Sequence, residues 1–303
     1  MEETLRQMRL CGLLPCLEAE TLPALLAGVQ ALQKAGFPCA EVNLAASALE
    51  AAAWKRLLAG QPLALGVRVQ TGEEARLALA AGARWATLPA AEAAKGLREE
   101  AVFWLVEDAR ELRAVKAEGP NLLCWEAGDV EAALEEWPHA LLLAPGGEGE
   151  AENKRLLASS RVLALRVPMR VREDGAQEQA AVLRQQWAGL LGFSLAHIGI
   201  NSAGERDAAE IAQALAMLMG APYLPGSASD FAGTAVEVMK EPGRGKHGHI
   251  GIGTENLERG MYFVRQCGFS FDPASRKNDA SGRAVLYYLN GEIGGFALHL
   301  LQK

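Results

Sequence analysis

Eight short runs rich in Leu and β-branched residues recur through the first 190 positions of this chain, each followed by an Ala/Glu/Leu-rich stretch of helical character. Such alternation leaves few folds open, because a helix between two strands carries the chain back across a sheet and makes the strands parallel. The runs fall at residues 12–18, 39–44, 63–69, 85–89, 102–106, 122–126, 140–144 and 162–167. Eight of them predict an α/β architecture, a compact (β/α)8 TIM-type barrel whose units are shorter than is usual for that fold. An open doubly wound sheet is the alternative. No Gly-x-Gly-x-x-Gly turn follows the first run, so a dinucleotide crevice has no support in the sequence.

The pattern changes near residue 190. Glycine becomes frequent, strand-turn-strand patterns replace Ala-rich helices, and His197, His247, His249 and His299 all lie beyond this point. Two domains are therefore expected, 1–190 and 191–303, joined by a helix over 177–187 and a hinge over 188–193. The second domain contains one tetrapeptide twice: His197-Ile198-Gly199-Ile200 and His249-Ile250-Gly251-Ile252. A helical pattern follows each copy (207–219 and 257–266), and then come strand patterns near 223, 231 and 236–239, and near 269–271, 285–289 and 296–301. This reads as an α+β domain of two βαβββ modules.

Each module ends on an alternating strand with one polar residue among apolar ones, Val236-Glu237-Val238 and Leu298-His299-Leu300. Neighbouring strand residues face opposite sides, so Glu237 and His299 project away from the apolar face. If the modules pair about a pseudo-twofold axis, His197, Glu237, His249 and His299 line one surface as three imidazoles and a carboxylate. That donor set suits a divalent Zn, Ni, Fe, Mn or Co and leaves positions for water or a bidentate substrate. The basic loop Arg244-Gly-Lys246-His247 and the polar turn ending at Arg283 offer Lys246, His247 and Arg283 as binders of an anionic small molecule.

Charge and cysteine usage narrow the remaining classes. With 30 basic and 37 acidic residues, a formal charge of -7 and no Lys/Arg-rich run, nucleic acid is not an expected partner. No stretch is apolar for long enough to span a membrane, and the first twenty residues lack the basic and apolar segments of a secretory signal, so a cytoplasmic location is expected. Cys11, Cys16, Cys39, Cys124 and Cys267 form no CxxC pair and read as reduced core thiols.

Residues 194–303 resemble the vicinal-oxygen-chelate superfamily of glyoxalase I and extradiol dioxygenases. The resemblance rests on the module duplication, on Leu195-Ala-His-Ile-Gly-Ile200, on Val236-Glu-Val238 and on Gly248-His-Ile-Gly-Ile252. It implies that the four residues above hold a metal and that chemistry begins when vicinal oxygens of the substrate chelate it. The last ligand position is commonly Glu in such proteins and is His299 here, which removes the usual carboxylate base.

Residues 11–170 resemble the 2-keto-3-deoxy-6-phosphogluconate and 4-hydroxy-2-oxoglutarate (KDPG/KHG) aldolases, small barrels that form a Schiff base on a strand-six lysine. Gly12-Leu-Leu-Pro15 looks like their first strand, Ala40-Glu41-Val42 like the second with its catalytic glutamate, and Ala144-Pro-Gly146-Gly147 like the phosphate-binding turn. The resemblance implies Glu41 as a catalytic residue, Gly146 and Gly147 as an anion nest, and a homo-oligomer, a trimer through the barrel. A Schiff base needs a deprotonated lysine amine. The sixth run, Asn121-Leu-Leu-Cys-Trp-Glu-Ala127, contains none, and Arg68 stands where a sugar acid would enter. The leading reading is thus a metal-dependent lyase or isomerase acting on a small 2-oxo acid or sugar acid and fused to a degenerate aldolase-like barrel. The alternatives are a working aldolase and a non-catalytic metabolite-binding pseudoenzyme.

Overall fold

The computed structural model describes all residues except 48, 96–100, 119–121, 127–128 and 147–148. The chain divides into two compact units, Met1–Leu190 and Leu191–Lys303.

In the first unit, β1 (Leu13–Glu18), β2 (Cys39–Asn43), β3 (Ala64–Arg68), β4 (Trp85–Pro89), β5 (Val102–Val106), β6 (Leu122–Trp125), β7 (Leu141–Pro145) and β8 (Val162–Arg170) pair in chain order. β8 closes on β1, and every pairing is parallel. This is the (β/α)8 barrel. Nearly continuous apolar strands are what a sheet covered on both faces requires. The helices between them start where the sequence supplies caps: Thr21 accepts from the Ala24 amide, Thr71 and Glu74 form a capping box, and the Asp129 carboxylate accepts from Glu131 and Ala132. Trp85, Phe103, Leu14, Cys124, Leu143 and Leu163 pack into one interior cluster. Met8, on a helix over Glu2–Cys11 that the strand pattern does not foreshadow, packs into the same cluster. The helix Ala176–Leu190 runs through the first three residues of the expected hinge, so the break is shorter than the sequence suggests.

The second unit is built on an eight-stranded mixed sheet. Its strands are β9 (Ser194–Asn201), β10 (Tyr223–Pro225), β11 (Ser229–Ala232), β12 (Val236–Met239), β13 (Gly248–Thr254), β14 (Lys277–Asn278), β15 (Ala284–Ile293) and β16 (Phe296–Gln302), in the order β10-β11-β12-β9-β13-β16-β15-β14. Helices Glu205–Met219 and Leu257–Gln266 follow β9 and β13. The strand expected near 269–271 does not form. Phe271 makes a single bridge to Leu289, and the two-residue β14 pairs with β15 instead. Ala208 and Ala212 of the first helix pack on Val238, and Leu257 and Met261 of the second pack on Leu300 and Leu289. The helices thus take one face of the sheet, and alternation sends Glu237 and His299 to the other. No helix among the described residues is long and apolar enough to cross a membrane.

Candidate metal centre

The two copies of His-Ile-Gly-Ile lie side by side and antiparallel. His197 of β9 stands opposite Gly251 of β13, Ile198 opposite Ile250, and Gly199 opposite His249. Each histidine therefore faces the other copy's glycine across the pseudo-twofold. The outer strands add the remaining donors in matching places, with Glu237 of β12 beside Gly199 and His299 of β16 beside Gly251. The glycines are a steric necessity at these sites. A Cβ on Gly199 would lie 2.0 Å from His249 Cε1, and one on Gly251 would lie 2.7 Å from His197 Cε1. The repeat is a self-complementary pair in which each copy supplies one ring and the space for the other.

The four donor atoms converge. His197 Nε2 lies 3.1 Å from His249 Nε2, 3.2 Å from His299 Nε2 and 3.6 Å from Glu237 Oε2, which is 3.2 Å from His249 Nε2. Hydrogen bonds satisfy this arrangement only in part: His249 Nε2–H can donate to Glu237 and His299 Nε2–H to His197, which leaves the other short contacts unpaired. An imidazole nitrogen offers one N–H or one lone pair, whereas His197 Nε2 has three polar neighbours. A cation at the centre satisfies all of them at once. Ligands about 2.1 Å from a common ion lie about 3.0 Å apart when cis in an octahedron and about 3.4 Å apart in a tetrahedron. The four separations, 3.1, 3.2, 3.2 and 3.6 Å, lie near these values.

The surroundings favour the ligating protonation states. The hydrogen bond from His249, with a second from the Ser229 hydroxyl to Oε1 at 2.6 Å, holds the Glu237 carboxyl down at about 2 against the opposing effect of burial. Burial, reinforced by the neighbouring imidazoles, pushes His299 down to about 3 and also lowers His197. All three are in the form that binds metal at neutral pH. His249 and His299 are buried, while His197 and Glu237 keep partial exposure. The His299 ring stacks on Tyr288, its cross-strand neighbour on β15, with centroids 4.8 Å apart, and its buried Nδ1 has no partner among the described residues.

The barrel presents a different set of charges. Glu41 is fully buried, receives Arg166 Nη2 at 2.6 Å on Oε1, and accepts from the Thr87 hydroxyl at 2.6 Å on Oε2. Arg166 Nη1 reaches Glu126 Oε1 at 2.5 Å, and Arg68 binds the same carboxylate through two nitrogens. Two arginines and two glutamates thus neutralise one another in the barrel. Cys16 lies 3.9 Å from Glu41, and burial pushes its thiol up to about 12, so it is no nucleophile.

No family model and no curated protein matches the chain. Several solved aldolase structures resemble its N-terminal part in fold. One is the 2-keto-3-deoxy-6-phosphogluconate aldolase of Zymomonas mobilis with 3-phosphoglycerate, 14% identical, covering 62% of this chain and 96% of that one at a TM-score of 0.49. Another is the KDPG aldolase of Legionella pneumophila with pyruvate captured as a carbinolamine, 19% identical, covering 61% and 97% at a TM-score of 0.47.

Among the residues singled out from the sequence, His197, Glu237, His249 and His299 come together. Glu41 is locked in its ion pair with Arg166. Gly146 gives its amide to the Arg166 carbonyl at 3.0 Å, so that N–H is not available to an anion; Gly147 lies outside the described residues. Arg283 binds Asp279 and Ser281 within its own exposed turn. Lys246 is exposed, and the exposed His247 ring packs against Gly295 and Phe296. Sequence reasoning passed over Tyr288 and Ser229. Tyr288 sits in an apolar strand pattern and reads as core, and Ser229 lies in a turn-like stretch; only the register brings them to the ligands.

Proposed function

We propose that residues 191–303 hold a divalent transition metal through His197, Glu237, His249 and His299, and that the chain is a metal-dependent enzyme of the vicinal-oxygen-chelate type, a lyase or isomerase acting on a small 2-oxo acid or sugar acid. The observation that carries this reading is the convergence of three imidazoles, with the Glu237 carboxylate 3.2 Å from His249 and 3.6 Å from His197, and glycines placed to admit the rings. Zn, Ni, Fe and Co suit a set dominated by imidazole better than Mg or Ca. When bound, such an ion acts as a Lewis acid that polarises a chelated carbonyl and favours negative charge on its oxygen. Ser229 orients the Glu237 carboxylate, leaving Oε2 turned to the centre. Tyr288 holds the His299 ring by stacking. His197 and Glu237 are the partly exposed members of the set and would meet a substrate first.

The barrel serves in this reading as an inert partner domain. Its Glu41, Arg166, Glu126 and Arg68 pair with one another, and its sixth strand has no lysine. The test removes metal from the full chain and adds back Zn, Ni, Co, Mn and Fe(II) singly against a panel of 2-oxo and sugar acids. Turnover that returns with one ion and is lost in His249→Ala supports the proposal; turnover indifferent to metal contradicts it. Borohydride trapping with pyruvate tests the aldolase alternative, and a covalent adduct would establish it.

A further inference from the structure

Beyond the four ligands, two cations lie near the centre: Lys277, whose charge acts on His299, and Arg244, which packs on Tyr288. Arg244, in the loop between β12 and β13, places its guanidinium carbon 5.0 Å from the Tyr288 ring centroid. Tyr288 in turn stacks on His299 at 4.8 Å and meets His249 edge-on at 6.2 Å. Laid end to end, the 5.0 and 4.8 Å spacings keep the guanidinium within about 10 Å of the His299 ring. Asp272 fixes it there. Its carboxylate takes Arg244 Nη1 at 2.8 Å, and its own amide is bonded to the Tyr288 carbonyl, so the arginine is oriented against a rigid strand. That ion pair uses one of five guanidinium N–H donors, and half of the side chain is open to solvent. The arrangement is that of a pre-oriented anion binder.

Charge arithmetic says what kind of anion. Three neutral imidazoles and one carboxylate leave a divalent ion with a net charge of about +1, which one chelating oxo-carboxylate neutralises. Arg244 then offers a second place for negative charge. The pairing it already makes with Asp272 is a carboxylate geometry, and the nearby Asp272 charge opposes a dianionic phosphate more than a monoanionic carboxylate. We infer that Arg244 is the specificity residue of the site and that the substrate is a dicarboxylic 2-oxo acid: one carboxylate chelates with its adjacent oxygen, and the other is held by Arg244 beside Tyr288. This inference rests on the metal-centre reading and deepens it.

The test is calorimetric binding to the zinc-loaded full chain of two probes with the same chelating head, pyruvate and 2-oxoglutarate. The second carboxylate should tighten binding about tenfold or more, the worth of one charge-assisted contact. Arg244→Gln should abolish that ratio while leaving zinc stoichiometry and pyruvate affinity unchanged, and Arg244→Lys should restore part of it. Equal affinity for the two probes in the wild type, or a ratio that survives Arg244→Gln, overturns the assignment and leaves the metal centre standing. Failure of the wild type to take up zinc overturns both, and the two failures are thereby distinguished.

Discussion

Gly199→Ala is the sharpest perturbation of the paired repeat, because it touches no ligand yet removes the space one occupies. The added Cβ would lie 2.0 Å from His249 Cε1, 2.3 Å from Nδ1 and 2.5 Å from Nε2. Ordinary contact begins near 3.4 Å, so the ring has to retreat by about 1.4 Å. Metal–ligand distances tolerate only about 0.2 Å, so the movement removes His249 from the coordination sphere. Altering a supporting residue typically costs 10–100-fold in affinity, and the loss of a ligand belongs at or above the upper end, about 100-fold for zinc. The clash itself costs about 1–3 kcal/mol of overpacking, not enough to abolish the fold. Gly251→Ala needs a retreat of only about 0.7 Å from His197 Cε1 and should cost less. Gly175→Ala, with nothing within 4 Å, serves as the control. Competition against a chromophoric chelator measures the affinities, and circular dichroism checks the fold. A folded Gly199→Ala protein that binds zinc as tightly as wild type would refute the reasoning.

Two further outcomes follow from the electrostatics. Glu41→Gln deprives Arg166 of its one fully buried carboxylate partner, leaving the partly exposed Glu126, and should cost about 3 kcal/mol in urea unfolding of the barrel; a loss below about 1 kcal/mol would contradict a structural ion pair. In metal-free protein, the folded state keeps His299 neutral down to about 3, whereas the unfolded chain protonates near 6.5. Its folded value is depressed, so stability is full above 6.5 and falls as pH drops from there toward 3, with Glu237 adding its loss only below its ordinary 4.5. Thermal melts at stepped pH should show the decline beginning near 6.5, and His299→Gln should flatten it; a melting temperature constant from pH 7 to 5 would count against the buried imidazole cluster.

Much of this was legible in the chain itself, for identifiable reasons. The barrel strands announce themselves because parallel strands covered on both faces are continuous apolar runs, and Trp85–Pro89 and Val102–Val106 fall where the runs do. The four candidate donors are legible because a module written twice puts them at matched positions. What the sequence could not display was pairing across distance. That each His faces the other copy's Gly depends on antiparallel register, and Arg166 lies 125 positions from the Glu41 it neutralises. Phe269-Ser-Phe271 imitates a strand by its period of two, but the chain turns at Pro273 and only one bridge forms. Tyr288 reads as one more aromatic in an apolar strand until its partner across β15 and β16 is seen to be His299.

The central claim is that three imidazoles and one carboxylate share a single ion. X-ray absorption at the metal edge of the zinc-loaded full chain tests it most directly. The account predicts one zinc per chain with nitrogen and oxygen neighbours at about 2.0–2.1 Å and outer-shell scattering from three imidazole rings, falling to two in His299→Gln. A chain that retains no zinc, or a zinc spectrum without imidazole scattering, would contradict it.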